Sequence, residues 1–429
     1  MYVSYDKHGV IRVVSDSPVS IANQTTISTN EVNKNDKLVG KKICLGAQRD
    51  KLRVALICNW ADRCGIADYT AHLVKPLRDK VGELRIFAEE IDNPDPVKDD
   101  YENVNRCWRR GTSMVNCIKQ VLNWKPDIVF IQHEFGIFPK ATHFLKMLEL
   151  LSGTPYVVTL HSVYEHLDKT ICTAYIKDMI VHSQDAKDSL ARNGHLNNVN
   201  VILHGCVQYP DHSELWNIFQ NDYAIIQFGF GFHYKGVDVA IEAIHHLKQN
   251  HEKFKDIFYC YMCTESPHTK VIQQDYYNYL SDKVQSLGLE ENVVIVRGFL
   301  SEKHISNFLR TAKLAIFPYK NNLNNVVYGA SGAVRNAMAN GIPIIASDCH
   351  LFDDIQGVVP RISDHVQLAE EIDRVFSNTQ YKADLVQKNL EFVERHNWDA
   401  TADSHVAVFD KIIARYEGDV VRIRQFTAV

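Results

Sequence analysis

No run of apolar residues in this 429-residue chain approaches the roughly 18–20 needed to span a membrane. The first residues, Met1-Tyr2-Val3-Ser4-Tyr5-Asp6-Lys7-His8, are polar from the start and do not read as a secretory signal. The sequon Asn23-Gln24-Thr25 therefore carries no weight. Charge of neither sign dominates. A formal net charge of −5 gives no global case for a dedicated nucleic-acid binder, although a local basic groove remains compatible with it. The ten cysteines are scattered. Only Cys260 and Cys263 form a CxxC, inside a strand-like run, and no second pair completes a zinc site. Buried, inert thiols in a reducing cytoplasm are the expectation. No low-complexity tract, short repeat, HExxH, GxSxG or protein-kinase signature is found, and no pair of carboxylates is singled out for glycosidase chemistry.

What is present is ordinary globular material, 45% apolar and 23% charged, long enough for two to three domains. Short β-rich apolar runs alternate with helical segments, twice over. In the first half they are Arg53–Asn59, Leu84–Ala88, Asp127–Gln132, Tyr156–His161, Met179–His182 and Asn200–His204. In the second they are Tyr223–Gly229, Phe258–Cys263, Val293–Arg297, Leu314–Pro318, Ile344–Ser347 and Gly357–Pro360. The clearest helix is Val237–Gln249, with Val237, Ala240, Ile241, Ile244 and Leu247 on one face.

This alternation predicts an α/β chain of two Rossmann-like domains facing across a cleft. The expected divisions are 53–212, 213–395 and a C-terminal segment 396–429, whose helix runs to about Gly418. Residues 1–52 stand apart. They carry eight Lys/Arg against five Asp/Glu and open with a β-hairpin pattern around Asp6-Lys7-His8-Gly9. An accessory module and a docked arm covering a sheet edge fit them equally.

Several stretches could carry chemistry. Gly65 and Ile66 follow a strand and open a helix, where free N–H groups attract an anion; a plain tight turn fits as well. Pro76 should end or kink that helix early. His161 ends a strand at the carboxyl edge of the sheet, where ligands bind and where it could hydrogen-bond a sugar hydroxyl or simply serve the structure. Glu134 ends its strand in the same way and could accept from a hydroxyl or hold a loop. Lys235, in Gly229-Phe230-Gly231-Phe232-His233-Tyr234-Lys235-Gly236, sits at a helix start. A cation is disfavoured there unless an anion compensates, which argues for a phosphate over a solvated lysine. Ser331-Gly332-Ala333 begin a helix closed by Gly341 and Pro343, with Ser331 as its N-cap. Their open amides would form a pyrophosphate cradle without a P-loop lysine, and a short buried helix that packs closely fits the same pattern.

Taken together in order, these blocks resemble the retaining glycosyltransferases of the GT-B fold, family four, also called group 1. The resemblance covers about residues 53–415 and rests on Cys64-Gly65-Ile66-Ala67-Asp68-Tyr69-Thr70, Gln132-His133-Glu134-Phe135-Gly136, Val158-Thr159-Leu160-His161, Val181-His182-Ser183, Val201-Ile202-Leu203-His204-Gly205, Tyr234-Lys235-Gly236, Gly298-Phe299-Leu300 and Ser331-Gly332-Ala333-Val334-Arg335. It implies metal-independent transfer of a sugar from a nucleotide-diphosphate sugar, such as a UDP-sugar, with retained configuration. That donor is a co-substrate, and no cofactor is implied. His161 and Lys235 would be catalytic, contacting the sugar and neutralising the leaving diphosphate. Gly65, Ile66, Phe230, Arg297, Gly298, Ser331, Gly332, Ala333 and Asn336 would bind donor. Two departures stand out. Phe230 replaces the arginine of a usual basic pair, and Tyr328 and Asn336 replace two glutamates that usually flank the phosphate helix. Arg335 could supply the missing cation.

The acceptor would be a glycan, a lipid-linked saccharide or a hydroxymethylated base in phage-type DNA. Arg106, Arg109 and Arg110 could meet a phosphate backbone or anionic headgroups at a peripheral membrane contact, or form a solvated surface. A non-catalytic module that binds a nucleotide sugar or a partner is the alternative to an active transferase, and a sugar-nucleotide epimerase or hydrolase is the third.

Overall fold

The computed structural model describes residues 2–5, 10–14, 52–95, 101–164, 175–195, 198–208, 218–264, 270–298, 300–321 and 326–427, without side chains for 2–14, 264, 270 and 419–427. The chain opens with a hairpin, β1 (Tyr2–Tyr5) and β2 (Val10–Val14), paired antiparallel. The remainder of residues 1–52, apart from Leu52, lies outside the described residues.

The first parallel sheet is built from β3 (Arg53–Cys58), β4 (Glu83–Glu89), β5 (Val104–Trp108), β6 (Ile128–His133), β7 (Tyr156–Leu160), β9 (Asp178–Val181) and β10 (Asn198–Val201), in the order β10-β9-β7-β6-β3-β4-β5. Strand β8 (Ser162–Tyr164) lies outside that sheet. Helices α1 (Gly65–Lys80), α2 (Val115–Trp124), α3 (Ala141–Leu150) and α4 (Gln184–Arg192) cover it. The central strands are apolar on both faces because both are covered. Val54, Leu56 and Phe130 face one core, and Ala55, Ile57 and Ile131 the other.

The second sheet contains β11 (Ala224–Phe230), β12 (Phe258–Thr264), β13 (Val293–Arg297), β14 (Leu314–Phe317), β16 (Ile344–Ser347) and β17 (Arg361–Ile362). Its order is β1-β2-β13-β12-β11-β14-β16-β17, so the N-terminal hairpin extends the C-terminal sheet. Strand β15 (Val327–Gly329) lies outside it. Helices α5 (Val237–Asn250), α6 (Lys270–Ser286), α7 (Glu302–Thr311), α8 (Gly332–Ala339), α9 (His365–Ser377) and α10 (Thr379–Arg395) follow. The predicted face of α5 is buried, from Val237 to Leu247. Helix α11 (Trp398–Thr427) then crosses back, and its Trp398, Phe409 and Ile412 pack in the core that holds Val54.

Three readings of the sequence need correction. Pro76 sits inside α1 without ending it, because Leu73, Val74 and Leu77 are buried on both sides of it. Gly357–Pro360 is not a strand. Gly357 turns at φ +78° and pairing begins only at Arg361. Edge strand β5 was missed because Asn105 and Arg106 interrupt its apolar pattern.

The two halves are joined by main chain. Strand β15 of the second half pairs antiparallel with β8 of the first, Tyr328 opposite Val163 and Gly329 opposite Ser162. Just beyond, Arg335 is 1% exposed and forms an ion pair with Asp354, itself fully buried. Its Nε donates to the His204 carbonyl at 3.1 Å and its Nη1 to the Ser331 carbonyl at 3.0 Å. His72 on α1 bonds Glu302 on α7 at 2.9 Å, a third link across the halves. Removing one partner of a buried ion pair strands the other charge, at a cost of about 3–5 kcal/mol. Asp354→Ala should therefore lower the urea midpoint sharply. The paired change Arg335→Met with Asp354→Leu should recover most of the loss.

Candidate donor site at the domain joint

The second half contributes a buried cation. Strand β11 ends at Phe230, just past Gly229 at φ +140°, and the chain winds through a single turn to Lys235. Gly236 follows at φ +63°, where a Cβ would lie 1.7 Å from the Pro318 carbonyl oxygen. Only glycine fits, and the turn drives Lys235 inward. That side chain is 8% exposed. Its Nζ donates to the Tyr319 hydroxyl at 2.7 Å and lies 4.0 Å from the centre of the Tyr319 ring. Among the described residues no carboxylate pairs with it.

Tyr319 passes the contact on. Burial keeps its phenol protonated. Having accepted from Lys235, its hydroxyl can donate to Ser331 Oγ, 3.3 Å away. Ser331 occupies the N-cap of α8 as the sequence predicts, yet its hydroxyl makes no capping bond. The first-turn amides of α8, Gly332 and Ala333 among them, are thus not capped by Ser331 and carry the partial positive charge of the helix end. A buried ammonium and a helix N-terminus are thus linked through Tyr319 and Ser331.

The first half contributes histidines. His161, directly after β7, has Nε2 2.6 Å from Gln132 Oε1 and Nδ1 3.2 Å from His182 Nε2. The Tyr69 ring on α1 meets His161 edge-on at 4.7 Å and His204 at 5.0 Å. The Tyr69 hydroxyl contacts His405 of α11 at 3.5 Å. Desolvation pushes His182 and His405 down to about 4, and holds His161 and His204 well below the ordinary histidine range.

Residues 329–332 bring the two sets together. A Cβ on Gly329 would lie 2.9 Å from the His161 carbonyl oxygen, and one on Gly332 would lie 3.4 Å from His204 Nε2. Two residues past Gly329, Ser331 meets the Tyr319–Lys235 pair. His161 and Lys235 thus converge on one segment. Gly65 opens α1, four residues before Tyr69, with Cys64 as its N-cap and no atom within 4 Å of a built Cβ. Ile66 is half-buried behind it and its carbonyl accepts from Thr70 Oγ1 at 2.7 Å. Phe230 closes β11 with its carbonyl held by the Tyr261 hydroxyl at 3.1 Å. Arg297 and Gly298 lie two strands away on β13, Arg297 stacked 4.1 Å over Tyr277. Asn336, one turn into α8, holds Asn340 through its Oδ1 at 3.1 Å.

Other candidates do not stand as open recognition groups. Glu134 Oε2 accepts the Gly136 amide at 2.5 Å, so the loop-holding reading applies. Arg106 bonds the Glu89 carbonyl at 2.8 Å, Arg109 pairs with Glu90 at 2.7 Å, and Arg110 grips both Glu89 oxygens at 2.9 and 3.1 Å. Local carboxylates neutralise the expected basic cluster. Arg335 does not replace the missing donor-site cation, since it is committed to Asp354. Tyr328 is buried, its hydroxyl accepting from Arg192 at 3.2 Å and its ring 4.7 Å from His350. Sequence reasoning missed Tyr319, Gln132, Tyr69 and the role of His182. Their only signal is their place at the end of a strand, one or two residues beyond one, or one turn into a helix. A hollow of about 220 Å³ lined by Glu242, His245, His246 and His365 lies along α5, away from the joint. Among the described residues no cluster of His, Cys, Asp or Glu could hold a metal, and no helix is long and apolar enough to cross a membrane. Cys260 is buried, its thiol pushed up to about 12, and no described cysteine is in a disulfide.

Residues 209–392 match the model of the family described as glycosyl transferases group 1. No curated protein sequence matches the chain. Among solved structures, HepE of Anabaena in complex with UDP and glucose aligns over 84% of this chain and 100% of its own, at 14% identity and a TM-score of 0.65. A trehalose-6-phosphate synthase analysed for glycosyl transfer with retention aligns over 84% and 99%, at 11% identity and a TM-score of 0.64. The UDP-forming α,α-trehalose-phosphate synthase of Burkholderia vietnamiensis aligns over 85% and 98%, at 11% identity and a TM-score of 0.66. The architecture is GT-B.

Two outcomes test this site. Gly236→Ala should destabilise the fold by several kcal/mol, since backbone and not a flexible side chain blocks the new methyl; a thermal melt reads it directly. The second is acid sensitivity. Unfolded histidine titrates near 6.5, above the folded values of His182 and His405, so the unfolded state takes up protons first as pH falls. Their stability contribution is intact above pH ~6.5 and drains away toward pH ~4, on the order of 3 kcal/mol each. Unfolding curves across that range should show the loss, and His405→Gln should show a smaller one.

Proposed function

We propose that this protein is a retaining glycosyltransferase that takes sugar from a nucleotide-diphosphate donor, a UDP-sugar, and places it on a hydroxyl of a glycan or lipid-linked saccharide. The observation that carries the reading is Lys235. An ammonium that is 8% exposed, with no carboxylate partner among the described residues and beside a helix N-terminus that its own N-cap side chain does not cap, is complementary to a diphosphate. As the glycosidic bond breaks, negative charge grows on the leaving diphosphate. Lys235 and the α8 amides stabilise that charge without rearranging. They supply the neutralisation that a divalent cation would otherwise provide, so the transfer is metal-independent. Retention is supported by the family resemblance and by the trehalose-6-phosphate synthase of the same fold. Arg106 and Arg110 are bonded within the first half, and the exposed Arg109 pairs with Glu90, which supports a saccharide acceptor more than a DNA backbone.

The first test is a thermal-shift panel of nucleotide-diphosphate sugars, in which a ligand specific to the folded state raises the melting temperature. A selective shift names the donor. Lys235→Met should then lower kcat by roughly 10²–10³ while the melting temperature falls little. EDTA should leave the wild-type rate unchanged, and the product anomer should match the donor. Full turnover in the Lys235 variant would remove the diphosphate assignment.

A further inference from the structure

We propose that His182 is a positioning residue that holds His161 in the tautomer with Nδ1 protonated and Nε2 bare, so that His161 meets the donor sugar as a hydrogen-bond acceptor. The sugar contact rests on the transferase reading above, whereas the tautomer itself does not.

The assignment starts from a group whose polarity is fixed. His182 Nδ1 lies 3.0 Å from the Ile202 carbonyl oxygen. A carbonyl only accepts, so Nδ1 carries the hydrogen. His182 is 2% exposed, and desolvation keeps it neutral near pH 7. A neutral imidazole has one N–H, so His182 Nε2 is bare. That bare nitrogen faces His161 Nδ1 at 3.2 Å, and two bare nitrogens do not attract. The hydrogen between them therefore belongs to His161 Nδ1. His161 is also held neutral, which leaves its Nε2 bare.

Two neighbours follow the same rule independently. His204 Nδ1 meets the Gly205 carbonyl at 2.8 Å and His405 Nδ1 meets the Thr401 carbonyl at 2.7 Å. Each must donate through Nδ1 and keep Nε2 bare. The Tyr69 hydroxyl accordingly donates to His405 Nε2. The first half thus turns bare imidazole nitrogens, from His161 and His204, toward the joint.

Gln132 completes the argument. Its amide lies 2.6 Å from His161 Nε2. A bare Nε2 requires the amide NH2 there, and amide orientation is assigned from the network. The other end of the amide is buried with no protein partner. The His161–Gln132 contact is therefore readily exchanged. An incoming sugar hydroxyl can donate to Nε2 and free the Gln132 NH2 to bond a second oxygen of the same ring.

The test uses the free, full-length protein labelled with 15N in its histidines. Long-range 1H–15N spectra distinguish the two neutral tautomers and the imidazolium, and His161→Gln and His182→Gln assign the signals. The expected result is Nδ1–H with bare Nε2 at both residues, unchanged between about pH 5.5 and 8. An Nε2–H signal at His161, or a His182 that becomes imidazolium in that range, overturns the proposal. His182→Phe removes the acceptor, so His161 should revert to the Nε2–H tautomer that water favours. His182→Gln supplies an amide oxygen to the same Nδ1–H and should retain the original one. Donor KM, for a UDP-sugar picked by thermal shift, should rise about tenfold with Phe and be rescued by Gln. If the Phe variant does not fold, the wild-type spectra decide. Because the spectra need no donor, a failed tautomer leaves the transferase reading standing, and the absence of turnover leaves the tautomer measurable.

Discussion

Everything at the cleft depends on where residues 327–335 are pinned. Arg335 does the pinning. It is a fully buried guanidinium that pairs with Asp354 of its own half and reaches the His204 carbonyl of the other. A buried charge is tolerated only where partners and hydrogen bonds surround it, and its geometry is correspondingly exacting. Its third bond, to the Ser331 carbonyl, closes the first turn of α8 on itself. The helix N-terminus is thereby set against the histidines while the β8–β15 pairing holds the strand before it. The site is a property of the joint, since neither half alone contains both the cation and the imidazoles.

The two faces of that joint are chemically opposite. The second half offers positive charge and N–H donors, from Lys235 and the start of α8. The first half offers uncharged imidazoles kept neutral by burial. A nucleotide-diphosphate sugar is split along the same line, with an anionic diphosphate beside a neutral polyol. Neutral histidines suit that division. A cationic one would compete with Lys235 for the diphosphate and repel Arg335 close by.

The parts of the molecule that the sequence made legible are those written in local pattern. Interior strands such as β14, and β3 past Arg53, are unbroken apolar runs, and the face of α5 repeats at helical spacing, so both could be read directly. Lys235 stood out in the sequence because the helix dipole disfavours a lysine at a helix start, and the structure buries it where a solvated turn lysine would be exposed. What escaped has a common cause. Strands β8 and β15 are three residues each and exist only because the two halves meet. Edge strand β5 is broken by Arg106, whose role is to hold the Glu89 and Trp60 carbonyls. The arginine cluster looked basic because its neutralising carboxylates lie up to 48 residues earlier in the chain, as with Asp62 and Arg110. Pro76 looked like a helix end because its cost is local while the burial that overrides it is not.

The departures from the family pattern take on meaning from the same joint. Where the family usually carries a glutamate, Tyr328 spends its ring on His350 and its hydroxyl on Arg192, stitching β15 into the first core. A carboxylate there would be buried in an apolar cluster and would need its own cation. At this position the chain carries an aromatic closure between the halves and no charge. Phe230 is a parallel case. With no arginine at that position, Lys235 is a buried cation near the α8 N-terminus with no carboxylate partner among the described residues, and the Tyr319 hydroxyl couples it to Ser331. Charge has been removed at three positions while rigidity has been added around the cation that stays. A single preorganised ammonium beside a helix end can do the work of a dispersed set of charges, because it need not reorient as the bond breaks.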